Sequence, residues 1–388
     1  MIVTLKDITT KITKGTTPTS IGCKFEKSGI NFIKSESLVD GKAIDKSKFA
    51  FISERTHERL KRSQIQENDI LFSMAGMFLG KTGIATAEVV PANTNQAVAI
   101  IRVDDTKANY EYVYYYLNQK SVIHTINTTS AQSAQPNINL KQIGEIKINL
   151  PDRKKQDQIV SLLSAIDLKI SNNVEINDNL QQQAAALFSS LYNRLNTEVR
   201  YTDLIQILGG GTPKTGETAY WNGNIAFFTP KDVGTPYTFI TEKTITEEGL
   251  SHCNSRLYPV NTVFVTARGT VGKVGLSGVP MAMNQSCYAL VGKETHQLLV
   301  YFYTLKVVDR LKHKASGAVF DAITIRDFES EQIMKLSDDD ARAFLCVAEP
   351  MFQEILNNSI ENLRLSTLRD FLLPKLMSDE MDVSNIQF

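Results

Sequence analysis

The stretch DILFSMAGMFLGKTGIA at 69 to 85 recurs, with substitutions, as NTVFVTARGTVGKVGLS at 261 to 277, and an Asn-Gln pair follows each, Asn95-Gln96 and Asn284-Gln285. Upstream, KGTTP ending at Pro18 answers GGGTP ending at Pro213, and INFIKSESL from Ile30 answers IAFFTPKDV from Ile225. Downstream, KISNNVEINDNL from Lys169 answers EILNNSIENLRL from Glu354. A period of roughly 190 residues is too long for a solenoid or a propeller; it means two copies of a whole domain with its closing helix. The fold must therefore be built twice.

At 388 residues, 42% of them apolar and 22% charged, the chain has material for two globular domains with proper cores. No apolar run approaches the roughly 18 residues a membrane helix needs. The start MIVTLKDITT lacks the basic-then-apolar layout of a secretory signal, so a cytoplasmic location without a membrane partner is expected. Cys23, Cys253, Cys287 and Cys346 are scattered, with no CxxC pair, and read as buried free thiols. The net charge is zero, with 42 basic and 42 acidic residues, but it is unevenly spread. Residues 1 to 149 carry 19 basic against 14 acidic, and 336 to 388 carry 4 against 10. Neutrality overall leaves a nucleic-acid partner open, because a basic face needs only a local excess.

Short apolar runs bounded by turn residues read as strands: INFIK, DILFSM, TGIAT and AVAIIRV in the first copy, IAFFT, TVFVTA, GKVGLS and SCYALVG in the second. Gly80 to Gly83 and Gly272 to Gly275 read as tight hairpin turns. The segments from Ala108 and from His296 read as helices behind the sheet. After Leu150 the pattern changes. Ile159, Leu163, Ile166, Ile170, Asn173, Asn177, Leu180, Ala184, Leu187 and Leu191 recur at four-and-three spacing, the seam of a coiled coil. Phe344, Ala348, Met351, Ile355, Asn358, Asn362, Leu365, Leu372 and Leu376 repeat it, with Arg369 in the place of Ala184 and Pro350 expected to delay the helix start. Two helices with one greasy stripe each are natural partners for one another. Asn173, Asn177, Asn358 and Asn362 are then candidates for fixing register across the seam. A helix from Ile159 to Leu191 would run about 50 Å, more than the roughly 34 Å of one DNA turn.

Taken in order, these motifs resemble the DNA-specificity subunit of type I restriction-modification enzymes. The resemblance is carried by the Gly-Thr-Pro loops, the twin Gly-Lys-x-Gly and Asn-Gln motifs, AQPNINLKQIGEIKINLP from Ala134, the helix from Leu162 and the closing LRDFLLPKLMSDE from Leu368. It implies an α+β chain: two repeated mixed α/β target-recognition domains separated by two long helices packed as an antiparallel coiled coil. The expected division is 1 to 150, 151 to 196, 197 to 336 and 337 to 388: domain, spacer helix, domain, spacer helix with tail. Each domain would read half of a bipartite, asymmetric site in double-stranded DNA. The helices would dock two methyltransferase subunits, and two motor or endonuclease subunits would complete the complex. S-adenosylmethionine, ATP and magnesium are expected on those partners, with no cofactor, metal or catalytic residue in this chain. The second domain departs from the pattern, with GAVFDAITIRDFES where the first has Pro136 and Asn137; Asp321 falls near them.

Ala75 to Thr82 satisfies a relaxed phosphate-loop pattern, but GIATAEVV follows as a strand where a helix is required, and the second copy has Val274 where a hydroxyl must meet magnesium. Neither a methyltransferase Asn/Asp-Pro-Pro-aromatic loop nor a cofactor glycine loop occurs. Glu145-Ile146-Lys147 is a lone nuclease-like fragment that reads as strand. The competing readings are a protein-only coiled-coil adaptor and a phosphate-loop NTPase or nuclease. For DNA, Arg268 is the candidate guanine reader. Lys14, Thr16, Thr17, Lys34, Thr212, Lys214 and Lys231 are candidate backbone contacts, and Lys81 and Lys273, on the hairpin tips, are placed to meet phosphates or base edges. Asn95, Gln96, Asn284 and Gln285 have the chemistry to read adenine, yet they recur in two domains that should read different sequences. Support of a loop or a phosphate fits them better.

Overall fold

The computed structural model describes residues 1–39, 41–130, 137–194, 196–314 and 322–381. They fall into two compact units, one running from Met1 to Lys169 and resuming at Arg364, the other from Ile170 to Leu363.

In the first unit, Thr9–Lys14, Val98–Val103, Ile70–Ser73 and Thr82–Ile84 lie side by side in that order as an antiparallel sheet. Val98–Val103 is rich in β-branched residues and its first four positions are buried, as a strand covered on both faces requires. On one side it meets a second sheet, in which Ile30–Ile33 pairs antiparallel with Ala50–Ile52 and parallel with Ala92–Thr94. Ile33, Leu71, Val98 and Ile100 fill the shared core. On the other side Tyr110–Leu117 buries Tyr112, Val113 and Tyr115 over Ile70, Phe72 and Ile101. Ile2–Thr4 pairs with Lys147–Asn149, so the chain leaves this domain beside its entry.

The second unit repeats the plan. Ile205–Gly209, Cys287–Gly292, Val263–Thr266 and Val274–Ser277 follow the same antiparallel order, extended by Tyr237–Thr238 in parallel. Trp221–Phe228 lies antiparallel to Lys243–Ile245 and parallel to Met281–Met283, and Thr197–Arg200 pairs with Gln332–Lys335.

Two long helices, Arg153–Tyr192 and Asp338–Met377, run antiparallel to each other. In the second unit the polar part of the seam shows this directly. Asn173 donates to Asn362 Oδ1 at 2.9 Å and Asn358 donates to Asn177 Oδ1 at 3.0 Å, so rising numbers on one helix meet falling numbers on the other. Asn173 also donates to Glu361 at 2.7 Å, and Asn362 donates to the Ile170 carbonyl at 3.3 Å. Asn173, Asn177 and Asn358 are buried. Replacing Asn177 alone with leucine strands the Asn358 amide and is expected to cost about 1–3 kcal/mol; replacing both should be close to neutral. Urea unfolding of the single and double variants checks this.

Several expectations need correction. Between Ala184 and Leu191, both buried as expected, the inward residue is Phe188, which is 1% exposed, while Leu187 is only half-buried; Phe188 points into an aromatic pocket of Phe302, Tyr303 and Phe344. Pro350 does not delay the second helix, which already runs from Asp338. The backbone bond it removes would have gone to Cys346, whose exposed position lets water serve instead. Arg369 interrupts the stripe without being wasted, since it donates to Asp167 at 2.9 Å. Asp167 also accepts from Tyr115 at 2.6 Å, beside Lys42, Glu111 and Ser164, which bond to one another. Of the four free thiols only Cys287 is buried, and Cys346 faces outward from its helix. Within Glu145-Ile146-Lys147 only Lys147 belongs to a strand, because Glu145 closes the short helix Leu140–Gly144.

Candidate nucleic-acid interface

The Gly-Thr-Pro loops and the Asn-Gln pairs, some 80 residues apart in sequence, come together in both copies. In the first domain the Thr17 hydroxyl donates to Gln96 Oε1, and in the second the Thr212 hydroxyl donates to Gln285 Oε1. Asn95 Oδ1 accepts from the Ala97 backbone at 3.1 Å, and Asn284 Oδ1 accepts from Ser286 at 3.0 Å. The loop glycines make the approach possible. A Cβ on Gly15 would lie 1.8 Å from the Thr94 carbonyl oxygen, and one on Gly210 would lie 2.1 Å from that of Asn284. Both asparagines thus serve their own turns, while Gln96 and Gln285 stay exposed with their amide groups available to a ligand.

The hairpin loops are the second shared device. They are not tight turns. Ser73 N donates to the Lys81 carbonyl at 2.8 Å and Thr266 N to that of Lys273 at 3.0 Å, so Lys81 and Lys273 stand where the loop rejoins the sheet rather than at its tip. Gly80 and Gly272 do take positive φ, +84° and +75°. Gly83 and Gly275 instead lie within strands, where close packing demands the missing side chain; a Cβ on Gly83 would meet Ile44 at 2.9 Å.

Strand register fixes which loop residues correspond. Ile138 N donates to the Met74 carbonyl, Ile323 N to that of Ala267, each at 2.9 Å; Ala75 bridges Asn137, and Arg268 bridges Ala322. Gly76 and Gly269 then coincide, with φ +69° and +82°. Arg268 therefore matches Ala75, and the first loop carries one residue more, at Met77-Phe78. Matching the motifs without a gap conceals this shift.

In the second domain Lys231, Arg268 and Asn284 line one cleft of about 480 Å³ together with Thr229, Ser286 and Glu242. Lys231 leans toward Glu242 at 3.6 Å. Asp232 receives the Thr229 hydroxyl at 2.6 Å and the Glu242 backbone at 2.8 Å, which holds the rim. Burial, reinforced by the charge of Asp232, pushes the Cys287 thiol up to about 12, so it is not a nucleophile at neutral pH. Lys214 is exposed, and its carbonyl accepts from the Trp221 indole at 3.1 Å. In the first domain Lys14 is exposed at the end of its strand, and Lys34 lies 3.6 Å from Glu36 and over the Phe25 ring. Arg62 donates to the Thr16 hydroxyl at 3.2 Å and Arg59 to the Ile21 carbonyl at 3.1 Å. Neither arginine was singled out from sequence, although the basic cluster Arg59, Lys61, Arg62 signals them. Pro136 and Asp321 lie outside the described residues, while Asn137 is exposed.

This geometry does not suit a nucleotide site. Thr82 is buried, its hydroxyl donates to Asn118 at 2.9 Å, and the chain after Lys81 is strand. A phosphate loop needs that hydroxyl free for magnesium and a helix to follow. Among the described residues no group of three or more His, Cys, Asp or Glu is placed to hold a metal, and no helix is long and apolar enough to cross a membrane.

The model of the type I restriction modification DNA specificity domain matches this chain twice, over residues 1–182 and 193–335. The chain belongs to that family. Relatives include the HindI specificity subunit of Haemophilus influenzae, 22% identical over 70% of this chain and 77% of its own length. The MjaIX specificity subunit of Methanocaldococcus jannaschii is 23% identical over 76% of this chain and 74% of its own. Among solved structures, the type I restriction-modification S subunit from M. genitalium superposes with a TM-score of 0.58 at 15% identity, covering 97% of this chain and 96% of the other. The shared fold is thus that of a specificity subunit, with the twin loops as the recurring furniture of its two domains.

Proposed function

We propose that this chain is the DNA-reading subunit of a type I restriction-modification complex, with residues 1 to 150 and 197 to 336 each reading one half of a bipartite site in double-stranded DNA. The helical segments 151 to 196 and 337 to 388 space the two readers and dock two methyltransferase subunits, with two motor or endonuclease subunits completing the assembly in the cytoplasm. Chemistry belongs to those partners, which bring S-adenosylmethionine, ATP and magnesium. The observation that carries the reading is the pairing of constant and variable parts. The Thr-Gln clasp is the same in both domains, as a sequence-independent backbone contact must be, while the side chains on the hairpin loops differ, as base readers must.

Lys14, Thr16, Thr17, Lys34, Lys81, Gln96, Thr212, Lys214, Lys231, Lys273 and Gln285 take the backbone role, and Arg268 is the bidentate donor to guanine. Asn95 and Asn284 shape the turn beneath. Two substitutions separate the roles. Arg268→Ala in the assembled complex is expected to lower discrimination at one base pair of the second half-site by about 1–3 kcal/mol. Lys273→Ala should weaken binding about equally on all sequences and reduce the salt slope by about one. Equilibrium binding at several salt concentrations distinguishes them. Exchanging residues 197 to 336 for another domain of the family and mapping methylated adenines should change one half of the site only. A change in both halves, or in neither, would sink the modular reading. Retention of no duplex at low salt, with the methyltransferase present, would favour the protein-only adaptor.

A further inference from the structure

The two hairpin loops are one scaffold bearing different side chains, and the first bears an apolar side chain that stands out from the core of the described residues. Met74 and Leu79 are buried in the core and pin the ends of the loop, as Ala267 and Val271 do in the second domain. Between them Gly76 turns the chain through φ +69°, and Met77, in the stretch that holds the extra residue, is 89% exposed, more than any other large apolar side chain in the described residues. At the place of Arg268 the first domain has Ala75, which has no donor to offer a base. Resting on the reading above, we infer that Met77 is a specificity-determining residue of the first domain and makes an apolar contact with the 5-methyl group of a thymine in the major groove.

The chemistry follows from what each base pair shows there. G·C pairs display only hydrogen-bonding groups along that edge, whereas thymine adds a methyl. A side chain with no donor, and with only the weak acceptor of a thioether, favours a base pair chiefly through that methyl. A flexible thioether on a glycine-hinged tip suits such a contact, since methionine adapts to irregular apolar surfaces. The two loops then read by opposite means, guanidinium to guanine in the second domain and thioether to thymine methyl in the first.

The test uses the complex assembled with its methyltransferase subunits and duplexes carrying the mapped site, in which each thymine of the first half-site is replaced singly by uracil. One replacement should weaken binding about fourfold, the value of one buried methyl-sized group. Met77→Ala should lose a similar factor on the thymine duplex and be indifferent to that uracil, while Arg268→Ala keeps the uracil effect in full. Met77 is exposed, so the alanine variant is expected to fold, and unchanged thermal unfolding verifies it. The inference is overturned if no uracil position matters, or if the uracil effect persists undiminished in Met77→Ala. It is also overturned if Met77→Ala weakens binding with no dependence on the methyl, the behaviour of a wedge between base steps. Failure of the specificity reading is a separate result: wild-type complex that does not prefer its mapped site to a scrambled one.

Discussion

Phe188→Ala is expected to destabilise the second unit by about 3–5 kcal/mol, the range for removing a fully buried phenylalanine. Its ring lies 5.1 Å from Phe302 in a stacked arrangement, 5.5 Å from Tyr303 and 5.4 Å from Phe344 edge-on, and 5.5 Å from Tyr192. The surrounding rings sit on three different segments and cannot all collapse into the space. The neighbouring Leu187 is the internal control. It is half-buried, and Leu187→Ala should cost less than half as much. Chemical denaturation of the two variants decides between the seam read from heptad spacing and the one observed. A larger loss at Leu187 would mean that the helix is turned by about one residue, roughly 100°. Because Phe188 anchors the helix Gln297–Lys314 that backs the sheet of the second domain, reading of the second half-site should weaken with it.

The duplication was legible because both copies keep the residues that backbone geometry forces on them. Gly15 and Gly210 admit no Cβ, and Gly80 and Gly272 take positive φ, so glycine persists and marks the repeat. The asparagines of the seam were legible for the opposite reason, as polar residues on an otherwise apolar stripe. What spacing could not supply was the exit of the first helix from a two-helix seam into a domain core. There the buried face follows the aromatic cluster around Phe188 instead of the heptad. Nor could motif matching find the extra residue in the first hairpin loop, since aligning Gly80 with Gly272 without a gap pairs Ile70 with Thr262. The strand ladder pairs Ile70 with Ile84 and Val263 with Leu276, which moves the match by one. That shift is what places Ala75 opposite Arg268 and leaves one residue of Met77-Phe78 unmatched. Arg62 was missed because its role depends on a contact with Thr16 made 46 residues away.

The same register sets out a triple substitution that the second domain already contains. Asp69 is fully buried and holds Arg102 through two hydrogen bonds of 2.7 Å, with the Gln66 backbone N–H donating to it at 2.7 Å. Asp69→Ala is expected to cost about 3–5 kcal/mol, because a guanidinium and a backbone donor are left without their acceptor. The corresponding residues of the second domain are Thr262, Val291 and Pro259: the acid is a hydroxyl that donates to the Pro259 carbonyl at 2.8 Å, the base is apolar, and the backbone donor is gone because proline has none. The charges and the donor that needed them were therefore exchanged together. Asp69→Thr with Arg102→Val should recover most of the loss but leave the Gln66 N–H unsatisfied, worth about 1–3 kcal/mol. Adding Gln66→Pro removes that donor and should bring stability within about 1 kcal/mol of the starting protein, provided the backbone at Gln66 accepts the ring. Urea denaturation of the single, double and triple variants measures the sequence. If the double variant were no more stable than Asp69→Ala, the loss would stem from cavity and strain rather than from an unpaired charge. Asp69 immediately precedes the strand Ile70–Ser73 that leads into the reading loop, so the single variant should also impair the first half-site while leaving the second intact.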